Sequence, residues 1–233
     1  DMEITAGEDT IKTYFGMRKF SVGKDENGTP RMMLNNKPYF MNGLLDQGYW
    51  SDGMYTAPSD EALIYDIQTM KDMGFNMLRK HIKVEPELFY YYCDQMGILV
   101  MQDMVNNGSY SFLRDTGLPT IGFKKHIERS RKLGLPAERK RKGIFVEHSR
   151  QLMKQLHNHP SIIAYTIFNE GWGQFDSDIM VSIVKAMDRT RIIDATSGWF
   201  WQEDSDVDSY HVYFKEFDLP DAKPTRPVIL SEF

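Results

Sequence analysis

Two glutamates, Glu170 and Glu232, stand at the ends of two apolar runs of strand length, SIIAYTIFN at 161–169 and VILSEF at 228–233. An apolar strand that runs into a carboxylate is an odd structural choice, because a charge near a core is costly unless it is paired or used. Two carboxyl groups in unlike environments are the minimum apparatus for glycoside hydrolysis. One is protonated to assist the leaving oxygen, and the other is ionised to attack or stabilise the anomeric carbon. That chemistry needs no metal and no cofactor. Cys93 is the sole cysteine, so the chain offers no cysteine-based metal site and no internal disulfide. A plainer reading of the same glutamates is a salt bridge from each to Arg79 or Lys80.

The elements that would position them follow from periodicity. Strand-length apolar runs at 38–45, 75–80, 98–104, 161–169, 191–197, 207–213 and 228–233 alternate with amphipathic helical stretches at 59–73, 85–96, about 143–157 and 176–189. Ser59 is suited to N-cap the first helix, and Gly74 and Gly97 to close the first two. This βαβ alternation predicts a parallel sheet of the α/β class, and strands in one order without a reversal fit a (β/α)8 barrel better than an open doubly wound sheet. Seven strands imply a barrel truncated before its last βα unit. Its first and seventh strands would be left with unpaired edges, and Glu232 without the loop and helix that pin such a terminal carboxylate. Residues 1–30 read as the end of a preceding β domain or an entry hairpin, and 31–233 as the catalytic barrel domain.

Barrel active sites form at the C-terminal strand ends, so the polar residues there are the candidates. They are Asp46 and Gln47, Arg79 and His81, Asp103, Asn169 and Glu170, Ser197 and Trp199, His211 and Tyr213, and Glu232. His211 and Tyr210 have opposite parity on one strand, so one of the two points inward. Aromatics such as Tyr49, Trp50, Tyr55, Trp172, Trp199, Phe200 and Trp201 cluster near Gly or Asp and could serve as sugar platforms or simply fill core and rim.

The 233 residues carry a formal net charge of -5, without the basic excess of a nucleic-acid binder. From Lys124 to Lys142 there are nine Lys or Arg against two Glu, but no aromatic is interleaved, and a solvated excursion explains the run. No run of 18 apolar residues suggests a membrane span. The start lacks an initiator methionine, and the chain reads as a piece of a longer polypeptide. Compartment and homo-oligomerisation stay open.

HPSIIAYTIFNEG closely resembles the acid/base segment of family 2 glycoside hydrolases, the β-galactosidase, β-glucuronidase and β-mannosidase family, and VILSEF resembles its nucleophile strand. RMMLNNKPYFMNGLLDQGYW and MKDMGFNMLRKH resemble its first two barrel strands, so the likeness covers most of 15–233. The resemblance implies an exo-acting, β-galactosidase-like retaining β-glycosidase, with Glu170 as acid/base and Glu232 as nucleophile. It further implies that Asn169 hydrogen-bonds the sugar 2-hydroxyl, that Arg79 orients Glu232, and that Tyr213, rather than Tyr210, is the tyrosine beside the nucleophile. The carboxyl groups are then expected about 5 to 5.5 Å apart, with the Glu170 pKa raised by burial and by the Glu232 charge.

The chain also departs from the family. LLDQGYWSDG replaces the arginine and histidine pair of many members after the first strand, KHIKVEP replaces a Ser-His-Tyr-Pro stretch, and Tyr165 stands where many have Trp. Those corners read substrate hydroxyls, so the sugar is not inherited from the best-known members. The alternative to an enzyme is a non-catalytic barrel that binds a carbohydrate on its aromatic rim.

Overall fold

The computed structural model describes residues 1–121, 128, 135–200, 202–213, 216–218 and 224–233. The chain opens with the hairpin β1 (Met2–Ala6) and β2 (Asp9–Thr13), then an antiparallel meander of β3 (Phe20–Lys24), β4 (Pro30–Leu34) and β5 (Lys37–Pro38). The α/β part follows: β6 (Gly43–Asp46), α1 (Asp60–Asp72), β7 (Met77–Lys80), α2 (Glu87–Met96), β8 (Leu99–Asp103), a π-helical turn (Phe112–Gly117), the single turn α3 (Leu118–Thr120) and α4 (Pro136–Gln155). It ends with β9 (Ile162–Asn169), α5 (Ser177–Met187), β10 (Ile192–Ser197), β11 (Asp208–His211) and β12 (Val228–Glu232).

The seven expected strands all form, and their pairing is parallel throughout, but among the described residues they do not close into a barrel. Five make one sheet in the order β10-β9-β8-β7-β6, and β11 and β12 make a separate pair. Strictly sequential order without a reversal excludes the doubly wound arrangement, whose strand order turns back at a switch point. The break falls between β10 and β11. They adjoin through the Ser197 and Ser209 hydroxyls at 3.0 Å and through Asp206 N–H to the Ile193 carbonyl at 2.8 Å, not through a ladder, and β11 itself carries a register shift between Tyr210 and His211.

Local chemistry accounts for the elements. The Ser59 hydroxyl accepts from Ala62 N–H at the start of α1, and Gly97 takes the left-handed conformation that ends α2. Strand β9 lies between β10 and β8 and is buried from Ile162 to Phe168, so it needs the continuous apolar run it has. On the helical side Ile167, Phe168, Ile193 and Ala195 pack with Phe145, Phe175, Val181 and Val184. On the other side Met101, Ile163, Ala164, Ile192 and Val207 enclose Phe20 and Met32 of the entry meander. Helix α4 begins at Pro136, earlier than periodicity indicates, and thereby absorbs the end of the basic run; Lys142 pairs with Glu138 at 3.0 Å. Residues 124–127 and 129–134 of that run, and Trp201, lie outside the described residues, while Glu128 accepts from Ser177 N–H at 2.8 Å at the start of α5.

Candidate active site

Strand ends β7, β8, β9, β11 and β12 converge on Arg79. Its guanidinium is buried and forks onto Asp103, with Nε to Oδ1 at 2.9 Å and Nη2 to Oδ2 at 3.0 Å. Nη2 also donates to Asn169 Oδ1 at 2.8 Å, and Nη1 to Glu232 Oε1 at 3.0 Å. Burial works against the charge on Arg79, but Asp103, Glu232 and Asp194 outweigh it and strengthen the protonated form. Burial likewise pushes the Asp103 carboxyl up, and the charge of Arg79 with the hydrogen bonds of His81 and Arg79 brings it below the ordinary range.

Glu170 follows the last residue of β9 with φ at 51°, the left-handed region where a non-glycine residue stores on the order of 1–3 kcal/mol. Its backbone N–H is held by the Ser197 carbonyl at 2.9 Å. The side chain meets His211 Nδ1 at 3.0 Å and the Tyr213 hydroxyl at 3.1 Å, both through Oε1. The same Tyr213 hydroxyl reaches Glu232 Oε2 at 2.5 Å. One carboxylate oxygen of Glu170, one of Glu232 and a ring nitrogen of His211 all lie within 4.8 Å of one another. That spacing would also suit a divalent cation. However, Arg79 already neutralises Glu232, and both ring nitrogens of His211 are engaged by protein groups, so hydrogen bonding accounts for the cluster without an ion.

The expected rise of the Glu170 pKa is not what the geometry gives. Burial does push it up, but the hydrogen bond and charge of His211 and the Tyr213 hydroxyl outweigh burial and hold the carboxyl below its usual range. Tyr213 is itself pushed up, by burial first and then by its bond to Glu232 and the two carboxylate charges. Its single proton cannot serve both carboxylates, and the shorter contact goes to Glu232.

The structure therefore brings together Arg79, Asp103, Asn169, Glu170, His211, Tyr213 and Glu232. Arg79 and Tyr213 both hold the Glu232 carboxylate. Of the pair on β11, His211 points inward, and Tyr210 packs on Phe217. Asp46 belongs to a neighbouring network, accepting from Lys80 Nζ at 2.7 Å and from Gly48 N–H at 2.8 Å, while Lys80 also meets Glu85 at 2.9 Å. Lys80 thus pairs away from the two glutamates. Gln47 is exposed, and Trp199 is half-buried on the β10 side.

Sequence reasoning passed over Asp194, Ser209 and Ser231. Ser209 and Ser231 lie within β11 and β12, two and one strand positions short of the ends that were searched. Asp194 sits deep in β10 with both carboxyl oxygens buried, and burial, partly offset by the charge of Arg79 and by the Ser209 hydroxyl, pushes its pKa up to about 6. Its charge in an otherwise apolar strand was a readable signal.

The site is thus a pair of carboxylates at the ends of parallel strands that helical crossovers connect. The chain matches the family described as glycosyl hydrolases family 2, TIM barrel domain, over residues 27–233, and it belongs to that family. It is 25% identical over 232 residues to a β-galactosidase of Priestia megaterium, covering 97% of this chain and 21% of that protein. It is 28% identical over 168 residues to a mannosylglycoprotein endo-β-mannosidase of Lilium longiflorum, covering 70% of this chain and 15% of that protein. The chain thus spans about a fifth of the length of the curated relatives it matches. Among solved structures, the β-D-glucuronidase of Dictyoglomus thermophilum superposes with a TM-score of 0.60 at 18% identity, over 82% of this chain and 31% of that one. A likeness at that identity speaks to the fold.

Proposed function

We propose that this chain carries the catalytic centre of a retaining, exo-acting β-glycosidase of the β-galactosidase-like kind, hydrolysing a terminal β-linked sugar. The observation that carries the reading is the pair of strand-end carboxylates, Glu170 and Glu232, within 4.8 Å and bridged by one tyrosine hydroxyl. So close a pair leaves no room for a water between carboxylate and sugar, as an inverting enzyme requires, and suits direct attack.

In the first step Glu232 attacks the anomeric carbon as the glycosidic C–O bond breaks, and Glu170 gives its proton to the departing oxygen. The product is a glycosyl ester on Glu232 and a free aglycone alcohol. In the second step Glu170, now ionised, takes a proton from water while the water oxygen attacks the anomeric carbon, releasing the sugar and restoring the Glu232 carboxylate. Arg79 and Tyr213 hold Glu232 aimed, and Asn169, fixed by Arg79, is left to bond the sugar 2-hydroxyl. Asp46, Gln47, Asp103 and Trp199 line or brace the surrounding strand ends. The partner is a carbohydrate, and neither nucleic acid nor membrane is required; among the described residues no helix is long and apolar enough to cross a membrane.

The test is a screen of nitrophenyl β-galactoside, β-glucuronide, β-mannoside and β-glucoside on the full-length protein, with the anomer of the first-formed sugar read by proton NMR. Turnover with a β-anomer released first, abolished in Glu232→Gln, is expected. Glycan binding without turnover of any of the four would favour a non-catalytic barrel, and an α-anomer would refute retention.

A further inference from the structure

Three serine hydroxyls from three strands meet below the site. Ser197 of β10, Ser209 of β11 and Ser231 of β12 form a triangle with sides of 3.0, 3.0 and 2.6 Å, and Ser197 Oγ lies 2.9 Å from Nε2 of His211. We propose that this hydroxyl triangle is a set of positioning residues for Glu170. It presents a hydrogen to Nε2 of His211, so that the Nδ1 proton is the one that faces the acid/base carboxylate. The inference rests on the assignment of Glu170 as acid/base.

Donor inventory fixes the direction. Arg79 Nη1 lies 3.3 Å from Nε2, and a guanidinium can donate but not accept. Glu232 Oε1, 3.4 Å from the same nitrogen, already accepts from Arg79 Nη1 at 3.0 Å, so Nε2 keeps its lone pair, and Ser197 supplies the shorter donor. Ser231 has the Tyr210 carbonyl at 3.3 Å as an outlet for its own hydrogen, and Ser209 can donate within the triangle, so Ser197 is free to give its hydrogen to the ring. Nδ1–H then donates to Glu170 Oε1 at 3.0 Å. The ring cannot swing away, because it is buried and packed on Gly198, where even a Cβ would come within 2.7 Å of Nδ1.

The charged groups that face His211 are Glu170 from the β9 end, Glu232 Oε1 at 3.4 Å from β12, Arg79 from β7 and buried Asp194 from β10, with the Tyr213 ring alongside. A donor aimed at Glu170 favours its ionised form. That form is the one the second step needs to take a proton from water. A neutral histidine of the other tautomer would offer Glu170 only a lone pair.

The experiment uses the full-length protein with 15N-labelled histidine. Ring nitrogen shifts, which distinguish the tautomers, should show His211 as Nδ1–H, with the Nε2–H form mixing in for Ser197→Ala. The basic limb of kcat/KM against pH, read with a nitrophenyl β-glycoside, should move up by about half a unit or more in Ser197→Ala, as Glu170 loses a donor. His211→Asn keeps an N–H toward Glu170 that needs no triangle, so adding Ser197→Ala to it should move the limb no further. A wild-type ring in the Nε2–H form, or a folded Ser197→Ala with tautomer and limb unchanged, overturns the proposal. Should Ser197→Ala not fold, Ser197→Cys, whose thiol is a weak donor, carries the same expectation and the same refutation. Absence of any turnover refutes the glycosidase reading instead, and the nitrogen shifts still decide the tautomer.

Discussion

Replacing Arg79 by lysine keeps the charge and removes the geometry, so it isolates what the fork does. The guanidinium holds three partners at once, Asp103 by two bonds, Asn169 by one and Glu232 by one, all between 2.8 and 3.0 Å. A lysine ammonium is a single point on a flexible stem and cannot span them. At least two charge-assisted hydrogen bonds are then lost, worth ~1.5–3 kcal/mol each, or ~3–6 kcal/mol in total. If half of that is felt in the transition state, through misplacement of Glu232 and Asn169, kcat/KM falls roughly 10- to 150-fold, since ~1.4 kcal/mol is a factor of ten. The remainder appears as lost stability. The assay is kcat/KM with the best nitrophenyl glycoside, alongside a urea unfolding curve. A folded Arg79→Lys within threefold of wild type would mean that Glu232 is positioned without Arg79, and the reasoning from the fork would fail.

Glu170→Gln should slow substrates with poor leaving groups by roughly 10²–10⁴ and dinitrophenyl glycosides far less; equal loss on both would remove Glu170 from the acid role. Its carboxyl is held below the usual range in the folded state, so its contribution to stability is present above its unfolded pKa and is lost as pH falls through the folded one. Urea midpoints of wild type and Glu170→Gln measured downward from pH 6 should therefore converge. Tyr213→Phe removes the 2.5 Å bond to Glu232 and should lower kcat by about tenfold, with KM nearly unchanged; a selective rise in KM would place the hydroxyl on the sugar instead. Asp194, whose folded pKa is raised to about 6, has the opposite sign: the stability it provides is full below its unfolded pKa and is lost as pH rises through about 6. Asp194→Asn should be the more stable protein at pH 7, with the difference shrinking toward pH 4, and a fixed difference across that range would refute a buried titrating acid.

Strand and helix order was legible because buried parallel strands need unbroken apolar runs, as 161–168 shows, and because Ser59 and Gly97 mark helix ends by their own hydrogen-bonding and φ preferences. The carboxylates and Arg79 were legible because a charge at the end of such a run has few structural excuses. What could not be read was sheet closure, which depends on whether two neighbouring strands join by backbone or by side chains. The gap between β10 and β11, bridged by Ser197 and Ser209, leaves no trace in periodicity. The sign of the Glu170 pKa shift was misjudged for a related reason: burial follows from the strand, but the opposing donors His211 and Tyr213 come from more than 40 residues downstream. Serine, small and common, gives no signal at all until three of them touch.

The sequential sheet has a consequence for how the protein is made. Each of β7, β8, β9 and β10 pairs with the strand synthesised just before it, so a chain emerging from the ribosome can add every βα unit to a finished neighbour, with short-range contacts and little waiting. The reactive centre follows a different schedule. Arg79 and Asp103 are buried early as a compact ion pair, Glu170 joins them with β9, and Glu232 arrives last, on a strand that pairs with β11 and not with the sheet. During synthesis the five-stranded sheet can therefore form with Arg79, Asp103 and Glu170 in place while the site still lacks its second carboxylate, and the pair of carboxylates is assembled in one later step.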